Sequence, residues 1–171
     1  MFTGDRSGDW LFKALHQSGF ANQPNSDHRR DGLKLKDCVI TAICHCAPPD
    51  NKPTTTELVT CRPFLDETIR MVKPRVFLAL GSLAWKAIVK IAVESNWLEN
   101  PKPQPKFGHG AKVRLMTENM DKKVRFSAQS DRWLVGSYHP SQQNTFTGRL
   151  TEKMFHQVFK DINRLLNAES K

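Results

Sequence analysis

Apolar residues recur at helical spacing in two stretches of the chain, one near each end. The stretch DWLFKALHQSGF places Leu11 and Leu15 one turn apart, and LTEKMFHQVFKDINRLL continues the same pattern over four turns. This spacing gathers apolar side chains on one face of a helix. We expect Ser7 or Asp9 to cap the first helix and Gly19 to end it. The pattern predicts an amphipathic helix at each end of the chain.

Continuous apolar runs, rather than alternating ones, mark the predicted strands. CVITAIC (38–44) and RVFLALG (75–81) are typical of strands that are buried on both faces of a parallel sheet. A helix capped by Ser82 is predicted directly after the second run. TTTELVTCRPFLDETIRMV is expected to form two helical pieces, because Pro63 breaks or kinks a helix. Three further strands are predicted in KVRLMT, KVRFSAQ and RWLVGSYHP.

The alternation of strands and helices predicts an α/β fold, a three-layer α/β/α sandwich with a mainly parallel sheet. The length of 171 residues suits a single domain spanning 1–171. Ligands bind beyond the carboxyl ends of the strands in such folds. Three polar loops therefore become candidate site loops: FTGDRSGD, APPDNKPT and SYHPSQQNTFTGRLT.

The net charge of the chain predicts a class of binding partner. The chain has 26 Lys and Arg against 17 Asp and Glu, a net charge of +9. This excess favours a polyanion and indicates salt-dependent binding of nucleic acid, although a basic protein without such a role is the alternative. The sequence lacks an apolar run of the roughly 20 residues that span a bilayer, and it does not start with a signal peptide. An intracellular protein with no membrane partner is predicted.

Four cysteines fall within one short segment: Cys38, Cys44, Cys46 and Cys61. In a reducing compartment, metal binding or plain burial is expected rather than disulfide formation. The segment has no Cys-x-x-Cys pair, so the residues alone leave both possibilities open.

Taken together, four motifs resemble the family 5, or type B, uracil-DNA glycosylases of prokaryotes. They are FTGDRSGDWLF, ITAICHCAPPDNKPT running into CRPFL, FGHGA and SYHPSQQNTFTGRLT, and they cover nearly the whole chain in the order of the family. The resemblance implies a uracil-DNA glycosylase-like fold. It also implies a monofunctional hydrolase that removes uracil from double-stranded and single-stranded DNA in base excision repair. Such an enzyme would act as a monomer in the prokaryotic cytoplasm, associated with the nucleoid through its DNA.

Catalytic roles follow from the resemblance for three residues. Asp5 would position or deprotonate water and stabilise an oxocarbenium-like sugar, Asn51 would assist the water or sugar, and His139 would hydrogen-bond the departing base. Phe2 resembles the residue that stacks on uracil in related families. The alternatives are that Asp5 caps a turn, that Phe2 belongs to the core, and that Asn51 forms a turn.

The resemblance also bears on which bases are removed. Ala42 lies where other uracil-glycosylase families often carry Asn. A methyl group cannot discriminate bases by hydrogen bonding, so hypoxanthine or xanthine is also an expected substrate.

The loop 141–149 directly follows His139 and is expected to enter the duplex at the lesion. Three of its polar residues are the expected DNA contacts: Ser141, Gln143 and Asn144. The alternative is an ordinary connection to the final helix, with Thr147 or Thr151 as its cap.

A 4Fe-4S cluster is also implied by the resemblance, with Cys46 and Cys61 as two ligands in a Cys-x14-Cys spacing. In the family an upstream Cys-x-x-Cys supplies the other two, so we expect an N-terminally truncated chain and an incomplete cluster. Cys38 and Cys44 would have to substitute for the missing pair.

Two other functions are compatible with the residues. One is a catalytically impaired DNA-binding remnant of such an enzyme. The other is an unrelated α/β metal-dependent hydrolase that uses His139, His109 and Asp5.

Overall fold

The computed structural model describes residues 4–46, 48, 52–99, 102–116 and 132–168, which fall into two compact units. One unit comprises 1–38 and 75–171, and the other 39–74. The helices are α1 (Arg6–Gln17), α2 (Thr55–Val72), α3 (Ser82–Glu94), α4 (Gln142–Phe146) and α5 (Glu152–Asn167). The strands are β1 (Val76–Leu80), β2 (Lys112–Leu115) and β3 (Arg132–Ser137). Among the described helices, none combines the length and apolar character needed to cross a membrane.

The sheet of the first unit has the order β1-β3-β2, with β3 in the centre. β1 pairs with β3 in parallel, with Leu78 opposite Val135, and β2 pairs with β3 antiparallel. The predicted α/β class is confirmed. The described strands form a mixed sheet rather than a mainly parallel one, because β2 runs against β3.

Helices cover both faces of β3. Val135 packs in one apolar cluster with Val158 and Ile162 of α5. Gly136 points to the opposite face, where a Cβ atom built on it would lie 3.1 Å from the Trp85 ring of α3. Successive residues of a strand point to opposite faces, so α5 and α3 lie on different sides of the sheet. The three-layer arrangement is the predicted one.

Two helix starts differ from the prediction. Asp5 caps α1, and its Oδ1 accepts a hydrogen bond of 2.6 Å from the Gly8 N–H, so neither Ser7 nor Asp9 has that role. The cap lies earlier because the chain already turns into the helix at Arg6. Similarly, Ser82 is the first helical residue of α3 and not its cap.

The position before α3 belongs to Gly81, which makes no side-chain cap bond among the described residues. At the final helix, Thr151 is the cap, and its side chain accepts from the Met154 N–H at 3.2 Å.

Two predictions for the segment 38–72 are wrong. Residues 38–44 form no strand, because an apolar run becomes a strand only where a neighbour exchanges backbone hydrogen bonds, and no described strand pairs with it. α2 is one helix through Pro63 rather than two pieces. Pro63 removes the donor to the Val59 carbonyl, and Val59 is 63% exposed, so water can replace that bond. The predicted strand KVRFSAQ lies outside the described residues.

Candidate active site at the carboxyl ends of two parallel strands

His139 lies where the carboxyl ends of β1 and β3 meet, as the sequence predicted. β3 ends at Ser137, two residues before it. Gly81, directly after β1, donates its N–H to the Ser137 carbonyl at 2.8 Å. Gly81 has a φ of 99°, which favours glycine, and a Cβ built there would lie 3.8 Å from the His139 Cβ. The two strands therefore fix the position of His139 through their main chains.

The short helix α4 holds the main chain of His139 from the other side. The Asn144 side-chain amide donates to the His139 carbonyl at 2.9 Å. Ser141 caps α4, and its Oγ accepts from the Asn144 N–H at 3.5 Å. Gln143 is exposed on the same helix. Two of the three predicted DNA contacts thus also build the loop that carries His139.

His109, from the FGHGA motif, also positions this loop. Its Nδ1 accepts from the Tyr138 N–H at 3.3 Å, and its Nε2 lies 3.2 Å from the Met154 carbonyl. A backbone N–H can only donate, so the ring proton must be on Nε2, which donates to Met154. Both nitrogens are therefore used by backbone groups. This argues against the metal-dependent hydrolase, which required His109 as a ligand.

Asp5 and His139 lie within electrostatic reach of each other. Burial lowers the pKa of His139 below its ordinary value of 6.5, while the negative charge of Asp5 acts in the opposite direction. The net direction is downward, so the imidazole is neutral at neutral pH. A neutral imidazole can donate one hydrogen bond to a developing anion while it carries no charge of its own.

The opening loop places Asp5 at the first turn of α1. Gly4 has a φ of 70°, and its N–H donates to the Ser26 carbonyl at 2.7 Å, which ties this loop to a distant segment. The alternative interpretation of Asp5 as a capping residue is confirmed. A carboxylate accepts several hydrogen bonds through two oxygens, so the cap made by Oδ1 is compatible with a second role.

Stacking contacts connect α1 to the segment 141–149. The Arg6 guanidinium lies 4.4 Å from the centre of the Phe146 ring, and that of Arg149 lies 4.8 Å from the centre of the Tyr138 ring. Phe146 is nevertheless 64% exposed. The site is thus bordered by an exposed aromatic ring and two cations, a combination suited to a nucleic acid. Sequence reasoning missed this pairing, since it depends on the fold.

The remaining predicted site residues are Ala42, Phe2 and Asn51. Ala42 belongs to the second unit, where it is half-buried in irregular backbone. Phe2 and Asn51 lie outside the described residues.

The second unit brings three thiols together. The Sγ atoms of Cys44 and Cys46 are 3.2 Å apart, those of Cys61 and Cys44 are 4.0 Å apart, and all three lie within 4.8 Å of one another. Cys38 belongs to the first unit, where its thiol donates to the Phe20 carbonyl at 3.5 Å. Three soft sulfur donors suit a thiophilic metal or an iron–sulfur centre.

Hydrogen bonds shift the pKa values of Cys61 and Cys44 in opposite directions. The His45 N–H donates to the Cys61 Sγ at 3.3 Å and lowers the pKa of Cys61. The side-chain hydrogen bond to Cys46 is the main cause that raises the pKa of Cys44, to about 11. Cys61 is thus the thiol whose thiolate form the surrounding protein favours most directly.

Comparison with known proteins identifies the family to which the sequence belongs. The sequence profile of the Uracil DNA glycosylase superfamily matches residues 1–163. A protein of Mycobacterium bovis named type-5 uracil-DNA glycosylase is 43% identical over 171 residues, which cover 99% of this chain and 57% of the relative. Proteins of the same name from Pyrobaculum aerophilum and Thermus thermophilus are 39% and 36% identical, covering 94% and 96% of this chain.

The chain spans 57% to 66% of the length of these three relatives. Their match nonetheless runs over nearly all of this chain and includes the strands and loops that position His139. With the family profile matched over residues 1–163, the chain belongs to the Uracil DNA glycosylase superfamily.

Proposed function

We propose that this chain hydrolyses the N-glycosidic bond of uracil, and of other deaminated bases, in DNA as a step of base excision repair. The observation that carries the proposal is the position of His139 just beyond β3, with its carbonyl hydrogen-bonded to Asn144 and its side chain within electrostatic reach of Asp5. Relatives named for this activity make the reaction class specific. We further propose that the enzyme is a monomeric single domain that acts on cytoplasmic, nucleoid-associated DNA.

The proposed reaction uses water and no covalent enzyme intermediate. The bond between C1′ and the base nitrogen breaks with its electron pair moving to the base, which leaves positive charge on the sugar. The Asp5 carboxylate stabilises that charge and accepts a proton from the water whose oxygen bonds to C1′. His139 donates a hydrogen bond to the carbonyl oxygen of the departing base, where negative charge develops. Asn51 assists in orienting the water or sugar.

Base recognition in this proposal rests on stacking more than on hydrogen bonding. Phe2 stacks on the extruded base. Ala42 offers a methyl group to the base edge, which cannot select uracil by donor and acceptor pattern. The proposed substrates therefore include deaminated purines such as hypoxanthine and xanthine.

The segment 141–149 is proposed to enter duplex DNA at the lesion, with Ser141, Gln143 and Asn144 contacting the DNA. Its exposed Phe146 ring, flanked by the Arg6 guanidinium, supports this role, since apolar side chains unstack base steps and cations neutralise phosphates. Both double-stranded and single-stranded DNA are proposed as partners. Only the duplex requires a base to be unpaired first.

A 4Fe-4S cluster, as the resemblance implies, would be held in this chain by Cys46 and Cys61, whose soft thiolates fit its chemistry. Such a cluster crosslinks the segments that bind it and can store an electron. Closing it takes four thiolates, and the Cys38 thiol is hydrogen-bonded to the Phe20 carbonyl, so we propose that the set within this chain is incomplete.

The test is a strand-cleavage assay for abasic sites on oligonucleotides that carry a single uracil, in duplex and single-stranded form. The proposal expects abasic sites to accumulate with repeated turnover. Salt-sensitive DNA binding without abasic sites would instead identify a catalytically impaired DNA-binding remnant. A matched oligonucleotide with thymine in place of uracil is the control.

A further inference from the structure

The segment 22–36 follows α1 in the first unit and lies against the loop that carries Asp5. The Ser26 carbonyl accepts the Gly4 N–H at 2.7 Å, and a Cβ built on Gly4 would lie 3.3 Å from the Asp27 carbonyl oxygen. Ser26 is buried, at 6% exposure. This part of the segment is therefore packed beside the candidate active site.

Residues 27–33 form a turn around the Asp31 carboxylate, the basic turn. The Asp31 Oδ2 accepts the N–H groups of Asp27 at 2.7 Å and His28 at 3.3 Å, and its Oδ1 accepts the Leu33 N–H at 2.9 Å. The Leu33 bond is the largest of the effects that lower the pKa of Asp31 below its ordinary value of 3.8. The carboxylate is therefore charged at neutral pH and holds the turn through three main-chain donors.

Asn22 fixes the far side of the basic turn. Its side-chain amide donates to the Gly32 carbonyl at 3.0 Å, and its Oδ1 accepts the Lys34 N–H at 2.6 Å. Ala21 and Leu35, next to these residues, form an isolated antiparallel bridge. Because the segment is held at both ends, its exposed side chains project from a defined backbone.

Arg29 and Arg30 are the exposed arginines of the basic turn. No ion pair between described residues involves either of them, whereas Arg62, Arg70 and Arg164 each pair with a carboxylate within one helical turn. An arginine that is not paired with a carboxylate can neutralise a phosphate without first breaking an ion pair. These two arginines are thus available to an anionic partner.

The distance of these cations from the site suits the DNA backbone. Arg29 and Arg30 follow Ser26 by three and four residues. Their Cα atoms therefore lie at most roughly 11–14 Å from that of Ser26. In a duplex, the phosphates of one strand follow each other about every 3.4 Å along the axis. A nucleotide bound at Asp5 would bring phosphates roughly two to four steps away within reach of both side chains.

We propose that Arg29 and Arg30 bind phosphate groups of the DNA backbone beside the flipped nucleotide, and that Asp31 and Asn22 hold the turn that presents them. This inference rests on the proposed action on DNA and adds a contact surface outside 141–149. Phosphate contacts position the protein on the duplex without reading its sequence. The basic turn therefore contributes affinity and no base preference.

The test is the salt dependence of binding of the full chain to a fluorescent, undamaged DNA duplex, measured by anisotropy. Each phosphate contact adds about 0.9 to the slope of log affinity against log salt concentration. The double variant Arg29→Gln with Arg30→Gln should therefore have a slope shallower by about 1.8. Arg29→Lys with Arg30→Lys keeps both charges and should keep the parental slope. Because this duplex contains no uracil, a chain that fails to excise uracil can still show these slopes.

Lys90 and Lys160 provide the matched control, since both are exposed and lie eight residues after the first residues of α3 and α5. Both helices begin at the edge of the sheet where His139 lies, so the two lysines are about 12 Å along the helix axes from that edge. Lys90→Gln with Lys160→Gln removes the same net charge and should leave the slope near its parental value.

Circular dichroism should be the same for all of these variants, because the substituted side chains are exposed. The inference is wrong if Arg29→Gln with Arg30→Gln has the same slope as the Lys90 and Lys160 control, since net charge alone would then account for the effect. It is also wrong if Arg29→Lys with Arg30→Lys loses the slope. A parent chain that binds the duplex without salt dependence would overturn it as well.

Discussion

The side-chain amide of Asn144 donates a hydrogen bond to the main-chain carbonyl of His139 at 2.9 Å. This bond spans the turn between β3 and α4, so a residue selected from the sequence for DNA contact also fixes the backbone of the candidate catalytic histidine. We expect Asn144→Ala to lower excision of uracil roughly tenfold, mainly in kcat, because His139 loses its orientation. Single-turnover kinetics separates this effect from DNA binding.

A matched control is available in Asn163, whose amide donates to the Ser18 carbonyl at 3.2 Å, far along the chain from His139. Asn163→Ala removes the same kind of bond and should leave excision unchanged. Equal activity of the two variants would show that the Asn144 bond serves the fold alone.

Asp5 and His139 can be tested separately from folding. Asn is as good a helix cap as Asp, so Asp5→Asn should retain α1 while it removes the carboxylate. Asp5→Asn and His139→Ala should each lower the excision rate by about two orders of magnitude, the scale expected for loss of a positioned base or hydrogen-bond donor. Binding to abasic DNA should persist. Asp9→Asn, in the same helical turn, is the control, and parental rates in either test variant would remove that residue from the mechanism.

The pKa of His139 predicts how stability depends on pH. Burial lowers this pKa below 6.5 and Asp5 partly opposes the shift. The unfolded chain therefore binds more protons than the folded one near that pH, so the contribution of His139 to the free energy of unfolding decreases as the pH falls through 6.5. NMR titration of the imidazole should give a pKa below 6.5, and a lower one still in Asp5→Asn. A value above 6.5 in the parent chain would contradict the prediction.

Gly136 is required by close packing on the face of the sheet that α3 covers. A Cβ there would lie 2.5 Å from the Gly108 carbonyl oxygen and 3.1 Å from the Trp85 ring. Gly136→Ala should therefore lower the free energy of unfolding by about 1–3 kcal/mol, as overpacking does. Gly108→Ala meets its nearest neighbour, the Ala111 Cβ, at an ordinary 3.8 Å and serves as the control. Urea denaturation compares the two, and similar midpoints would contradict the prediction.

Phe146 should matter more on duplex DNA than on single strands. Its exposed ring can support an unstacked base step only where a duplex is present. Phe146→Ala is expected to lower excision roughly tenfold on duplex substrate and little on single strands, since unpairing requires a few kcal/mol that a single strand does not need. Met71→Ala, an exposed apolar residue of the second unit, is the control. Equal losses on both substrates would place Phe146 in the chemistry or the fold.

Much of the first unit could be predicted because its patterns are long and consistent. The periodic apolar positions of α5 identify its buried face, and the continuous apolar runs of β1 and β3 indicate buried strands. The position of His139 followed from the end of β3. The catalytic role of Asp5 stays a prediction, and its position as the cap of α1 depends on where the chain turns, next to the hydrogen bond between the Gly4 N–H and the Ser26 carbonyl.

The second unit was harder, because its apolar runs do not determine their partners. Residues 38–44 have the composition of a buried strand, yet a strand exists only where another chain segment pairs with it. Pro63 was expected to divide α2, but the exposure of Val59 makes the lost hydrogen bond replaceable by water. The approach of Cys44 to Cys61 depends on the packing of His45 against Phe64, which sequence spacing does not report.

β3 is paired on both edges and buried from Leu134 to Ser137. We expect the backbone amides of such a strand to exchange slowly with solvent, because large openings are needed to expose them. His139 follows this strand directly, whereas most of 141–149 lies at the surface. In the reaction proposed above, adjustment to DNA would therefore fall to 141–149, and the flipped nucleotide would move to a histidine that stays in place.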